Sequence, residues 1–165
     1  MLQYSILQNT IQQWLIAAGV LVIACGGMLL AKILLVRQFQ DIARRTRNAW
    51  DDLVVELIEK TGKFVVLTIS VYASSLALSL QPATHIILQK ILILSLLLQG
   101  GIWGSHILAF WSTRYKARQI RVNSAAIKTF IRMGFILRVL LWTFLVLLAL
   151  DNLGVDITTL VAGLG

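Results

Sequence analysis

Apolar positions along this chain gather into four long runs, separated by basic or turn-forming connections. A helix rises about 1.5 Å per residue, so crossing a hydrocarbon layer of about 30 Å takes about 20 mostly apolar residues. The first run, from about Ile11 to Val36, contains WLIAAGVLVIACGGMLLA and is bounded at its far end by Lys32 and Arg37. The second begins at Phe64, reads FVVLTISVYASSLALSL and stops before Pro82, whose missing N–H and constraint on the preceding residue favour a break. The third, from about Ile86 to Trp111, holds ILILSLLLQGGIWGSHILAF, and the fourth, from about Phe130 to Leu150, holds ILRVLLWTFLVLLAL. A fifth apolar stretch, VDITTLVAGLG, starts at Val155 and reaches Gly165, which at helical rise covers only about 16 Å. The pattern predicts an all-α integral membrane fold of four transmembrane helices plus the start of a fifth.

Between the first two runs the pattern changes. In FQDIARRTRNAWDDLVVELIE, Trp50, Leu53, Val54, Leu57 and Ile58 recur at three- and four-residue spacing, which is one apolar stripe on a helix. Arg44, Arg45, Arg47, Asp51, Asp52, Glu56 and Glu59 occupy the rest. Such a helix either lies on a membrane surface or extends the second span beyond it, and a solvated linker is its plainest reading.

Composition agrees with the run lengths. Of 165 residues, 58% are hydrophobic and 13% charged, with a mean hydropathy of +0.83. A water-facing globule of that composition would expose far more apolar surface than soluble monomers tolerate. The first charged residue is Lys32, so the amino terminus lacks the basic segment of a secretory signal and the first span is expected to be retained.

The excess of 15 Lys+Arg over 7 Asp+Glu would suggest a nucleic-acid partner in a soluble protein, but placement argues otherwise. Region 32–63 carries Lys32, Arg37, Arg44, Arg45, Arg47, Lys60 and Lys63, region 114–138 carries Arg114, Lys116, Arg118, Arg121, Lys128, Arg132 and Arg138, and elsewhere there is only Lys90. Lys and Arg bias between loops sets orientation. The two basic connections are therefore expected on the cytoplasmic side, with the amino terminus and the turns at 81–85 and 151–156 outside. The stretch STRYKARQIRVNSAAIKTFIRMGFILR has no acidic residue, so anionic lipid headgroups are its expected counterions, with Arg114, Lys116, Arg118 and Arg121 as the anchor. No nucleic-acid motif accompanies it.

Chemistry of other kinds has little support. No phosphate loop, HExxH, CxxC or Ser/His/Asp spacing is present, so no enzyme activity, metal or cofactor is expected, and Cys25 stands alone in an apolar run. His106 lies inside a span without an acidic residue or second histidine within a helical turn, which favours a helix-packing hydrogen bond over a proton relay. Arg138, inside the fourth run, either faces a crevice or snorkels to the interface. Gly100 and Gly104, beside Gly101, permit a close helix crossing. Trp14 and Trp111 fit interfacial belts.

The segment LLALDNLGVDITTLVAGLG differs in kind. Gly154 can take the left-handed geometry that ends a helix, Asp156 or Thr158 can cap the next, and Ala162, Gly163 and Gly165 leave almost no side-chain bulk, so copies of this helix can approach around an axis. The segment closely resembles the small-conductance mechanosensitive channel family where its pore helix begins. AWDDLVVELIEKTGKFVVL is similar to the aspartate-pair helix that leads into a span in members with extra amino-terminal helices.

The resemblance covers roughly 50–165 and implies a homo-oligomer, typically a heptamer, in a bacterial inner membrane, which opens under bilayer tension and releases small solutes during osmotic downshock. It implies four segments: an extra span with its amphipathic helix (1–63), a hairpin of peripheral sensor helices (64–111), a basic connection and span (112–150), and an outer turn with the start of the pore helix (151–165). The family's bulky constriction residues would lie beyond Gly165, and a helix ending mid-bilayer leaves carbonyl groups unsatisfied, so the expectation is a piece of a longer protein. The alternative is a non-conducting four-span membrane subunit that binds lipid or a partner. A secondary transporter ranks below both, because no paired broken helices or intramembrane acidic site is legible.

Cysteine labelling of intact cells, in a Cys25→Ser background, tests the orientation. Externally added impermeant reagent is expected to reach cysteines placed in 81–85 and 151–156 and to miss those in 39–59 and 114–128. The opposite pattern would reverse the topology.

Overall fold

The computed structural model describes residues 5–6, 9–46, 49–119, 124–157 and 162–163. After a short antiparallel ladder of β1 (Ser5–Ile6) with β2 (Asn9–Thr10), five helices follow: α1 (Ile11–Thr46), α2 (Ala49–Glu59), α3 (Lys63–Ser75), α4 (Pro82–Gln119) and α5 (Ser124–Leu153). Among the described residues three stretches are long and apolar enough to cross a membrane: Ile11–Asp41, Pro82–Arg114 and Met133–Leu153.

The second expected span is shorter than its apolar run. Helix α3 has 13 residues, about 20 Å of rise, and ends at Ser75 rather than just before Pro82. Two serines mark the reason. Ser74 Oγ donates to the Val71 carbonyl at 2.9 Å and Ser75 Oγ to the Tyr72 carbonyl at 2.7 Å, competing with backbone donors for the last turn. The chain then tightens, with Leu76, Ala77 and Leu78 N–H groups each bonded to the carbonyl three residues back. Pro82 opens α4, a position where its missing N–H costs nothing because first-turn donors lack intrahelical partners.

Helices α2 and α3 form a broken rod that runs antiparallel to α1, and α4 runs back along that rod. The order of contacts fixes this: on α4, His85 meets Tyr72, Ser95 meets Thr68, Gln99 meets Gly62, Trp103 meets Leu57, and His106 meets Glu56. Helix α5 packs antiparallel on α4, with Lys90 at Leu153 and Ser105 at Trp142. The ladder at the amino terminus was not expected from the sequence. It brings Asn9, fully buried, onto Ser79: the Ser79 N–H donates to Asn9 Oδ1 at 2.6 Å and Asn9 Nδ2 donates to the Ser79 carbonyl at 3.2 Å. That reciprocal pair satisfies backbone groups which the early end of α3 leaves over.

Polarity is distributed as a bilayer demands. Val22, Ile23, Leu15 and Phe135 are at least 63% exposed, whereas Ser70, Ser95 and Gln99 are at most 3% exposed. In the α3–α4 seam the Thr68 and Ser95 hydroxyls lie 2.7 Å apart, and Ser70 Oγ donates to the Val66 carbonyl at 2.8 Å. Hydroxyls between helices act as glue where lipid tails are as apolar as the side chains they meet.

The close crossing of α4 on α5 uses a different pair of glycines from the one the spacing suggested. A Cβ on Gly101 would lie 2.8 Å from Leu145 Cδ1 and one on Gly104 would lie 2.7 Å from Leu141 Cδ2, while Gly100 faces open space. Three-residue spacing places 101 and 104 together on the α5 side, and 100 falls off that face. Gly101→Val and Gly104→Val are each expected to lower the unfolding free energy in bicelles by about 1–3 kcal/mol through overpacking, and Gly100→Val to change it little. Equal losses at all three positions would contradict this crossing.

Candidate functional site

The expected turn before the pore helix lies at the end of α5, and its geometry is well defined. Gly154 has φ +94°, in the left-handed region. Its N–H donates to the Asp151 carbonyl at 2.9 Å, and the Val155 N–H reaches back to the Leu150 carbonyl at 3.0 Å. This pair of bonds is a Schellman motif, with Gly154 in the position where a Cβ would be strained. Of the two terminal carbonyls that the motif leaves, that of Leu153 accepts from Lys90 Nζ of α4 at 3.2 Å. Beyond the turn, Asp156 is exposed, as are Ala162 and Gly163, whereas Thr158 and Gly165 lie outside the described residues.

A second polar centre surrounds the break between α2 and α3. There the carbonyls of Leu57, Glu59, Lys60 and Thr61 and the N–H of Gly62 meet side chains from two other helices. Lys32 Nζ, from α1, donates to Glu59 O at 3.0 Å and Thr61 O at 2.7 Å. Gln99 uses both ends of its amide, donating to Lys60 O at 3.2 Å and accepting from Gly62 N–H at 2.8 Å. Trp103 Nε1 donates to Leu57 O at 2.9 Å. One turn further along, His106 Nδ1 lies 2.8 Å from Glu56 Oε1. The acidic partner of His106 thus comes from α2, fifty positions away in sequence, where a search within one helical turn cannot find it.

Above this break lies an apolar groove of about 410 Å³ whose walls include Met28, Leu35, Val66 and Leu96, with Lys32 and Gln99 at its polar end. On the far side of α4, Arg138 Nη2 approaches the Ser105 carbonyl at 3.5 Å, and Trp142 Nε1 donates to Ser105 Oγ at 3.1 Å. Arg138 is exposed, along the edge of an open groove on α5.

At the basic end, Arg114 is exposed and its guanidinium carbon lies 5.5 Å from the Phe110 ring centroid. Phe110 and Trp111 both pack on Trp50, with centroids 5.7 and 6.2 Å apart. Lys116 and Arg118 follow on the last turns of α4, and Arg121 lies outside the described residues. The expected headgroup set therefore begins beside an aromatic cluster. Trp111 is 59% exposed, as an interfacial residue would be.

The polar contacts not anticipated from the sequence are those of Lys32, Lys90, Gln99 and Trp103. Each of these residues is a hydrogen-bond donor embedded in an apolar run, which is the signal that marks them. Their partners are backbone carbonyls and so have no signature in the sequence.

Residues 135–165 match the family model described as mechanosensitive ion channel, transmembrane helices 2/3. The matched stretch takes in most of the membrane-length part of α5, the Gly154 turn and everything after it. No curated protein and no solved structure matches the chain. The resemblance read from LLALDNLGVDITTLVAGLG is thus supported independently: over this stretch the chain is similar to the membrane portion of mechanosensitive channels.

Replacing Gln99 with Leu is expected to leave the Lys60 carbonyl and Gly62 N–H without partners and to cost about 1–3 kcal/mol of unfolding free energy. Gln99→Glu, which keeps the acceptor but loses the amide donor, is expected to retain part of that stability. Unfolding titrations in bicelles measure both, and an unchanged Gln99→Leu would remove the argument for this centre.

Proposed function

We propose that this chain is the membrane-embedded, tension-sensing portion of a mechanosensitive ion channel, together with the start of its pore helix, and that the channel releases small solutes and ions on hypo-osmotic shock. The observation that carries the reading is the family match over 135–165, which falls on a packed helix, a glycine-defined reversal and a stretch containing Ala162 and Gly163. By resemblance the assembly is a homo-oligomer, typically a heptamer, of a bacterial inner membrane. In it the chain crosses four times with α3 as the short second crossing, the amino terminus is outside, and the stretch after Val155 returns towards the cytoplasm.

Tension sensing would begin at the exposed apolar faces of α1, α4 and α5. Lipid contacts them directly, so stretching the bilayer favours whichever arrangement of the helices occupies more area in its plane. A stimulus moves an equilibrium only through its differential interaction with the two states. Peripheral helices α1 to α4 supply that difference, and the small residues at 162–165 allow the pore helices of neighbouring subunits to pack closely. The basic end, from Arg114 through Lys116, Arg118 and Arg121, holds the cytoplasmic ends at anionic headgroups.

The complete gene, expressed in a bacterium lacking its own mechanosensitive channels, tests this. Survival of hypo-osmotic downshock and tension-activated current in excised patches are expected. Normal membrane levels with neither survival nor current, and purification with a stoichiometric different partner, would favour the non-conducting membrane subunit.

A further inference from the structure

The end of α5 is tied to α4 by a hydrogen bond from Lys90 to the Leu153 carbonyl, and the residue that makes it carries a positive charge found nowhere else in the surrounding sequence. Lys90 is the only Lys or Arg between positions 64 and 113, and none follows Arg138. It stands about two turns into α4, where its ammonium reaches the C-terminus of α5. A helix end leaves four carbonyls without intrahelical donors. Here the Schellman turn itself serves Leu150 and Asp151, and Leu153 is served from outside, by Lys90. A cation is the favoured donor at that site because the carbonyl end of a helix carries partial negative charge.

Position adds to this. The glycine crossing of α4 on α5 is centred on Gly101 and Gly104, and Lys90 lies about 16 Å along the helix from Gly101. The ammonium also lies 4.0 Å from where a Cβ on Gly154 would be. Lys90 therefore holds the reversal itself, so motion of α4 can reach it without passing down the length of α5.

We propose that Lys90 is a positioning residue that couples α4 to the turn at the start of the pore helix, so that displacement of α4 carries Leu153 and Gly154 with it. The proposal rests on the channel reading above. Loss of the ammonium is expected to leave the crossing at Gly101 and Gly104 intact while the turn moves independently of α4.

The test uses the complete channel in two measurements. In excised patches, Lys90→Met keeps most of the apolar stem and removes the donors, and is expected to open only at higher tension than wild type. Lys90→Arg keeps cation and donors and is expected to stay near the wild-type tension. In lipid nanodiscs, spin labels at 87 and 155 are expected to give a narrow distance distribution in wild type and Lys90→Arg, and a broad one in Lys90→Met. Should Lys90→Met fail to accumulate, Lys90→Gln, a shorter neutral donor, is expected to show an intermediate shift and breadth.

The two readouts separate the two ideas. A wild-type protein without tension-activated current would sink the channel reading, while the label distances would still report on Lys90. Unchanged distances and unchanged opening tension in Lys90→Met, or equal shifts for Lys90→Met and Lys90→Arg, would overturn the coupling role.

Discussion

A backbone carbonyl or N–H released where a helix breaks and neighbouring helices pack over it costs about 1–3 kcal/mol unless another group replaces the lost helical partner. The arrangement of this bundle follows from that constraint at the interruption between α2 and α3. Four carbonyls and one N–H are released where Lys60, Thr61 and Gly62 leave the helix, and Lys32, Gln99 and Trp103 take them up. Because those side chains come from α1 and α4, satisfying the break also fixes which helices stand on either side of the rod. The same constraint recurs at the early end of α3, met by Asn9, and at the end of α5, met by Lys90.

Helix α4 is consequently the element on which α2, α3 and α5 all converge. One side of it carries Ser95, Gln99, Trp103 and His106 towards α3 and α2, and another carries Gly101, Gly104 and Ser105 towards α5. Helix α1 is linked to it indirectly, since Lys32 and Gln99 bind neighbouring groups of the same break. A bundle built this way has little apolar core: Ala17, Leu53, Val65 and Val66 are the buried hydrophobic residues among those described. Its cohesion comes from polar seams and close glycine packing, and its apolar residues face lipid. Under the proposed tension-sensing role that polarity is useful, because lipid would act on the outer faces while the seams keep the helices moving together.

Much of this was legible in the sequence, for reasons that can be named. Run lengths located the three long spans because about 20 apolar residues have no other stable use in a chain this poor in charge. The Gly154 reversal was legible because glycine before Val155 fits the left-handed position that a Schellman ending requires, and the small residues after it carry the family resemblance. The extent of α3 was not legible, since the apolar run continues through ALSL after the helix has ended and hydropathy registers no serine-mediated termination at Ser74 and Ser75. The partners of Lys32, Lys90 and Gln99 were hidden for a simpler reason: a backbone carbonyl has no side-chain identity. His106 and Glu56 illustrate the same limit for side chains, because fifty residues and two helix ends separate them. Their meeting depends on the α2–α3 break, which no periodicity announces.

The arrangement of the bundle depends most directly on the sealing of the α2–α3 break by side chains from α1 and α4. Amide hydrogen exchange at Gly62 in lipid nanodiscs measures that, because its N–H donates to Gln99 Oε1 at 2.8 Å and has no helical partner. Protection comparable to the interior of α3 is the predicted result, falling to loop-like exchange in Gln99→Leu. Loop-like exchange at Gly62 in the unmodified protein would contradict the sealed break and the α4-centred bundle built on it.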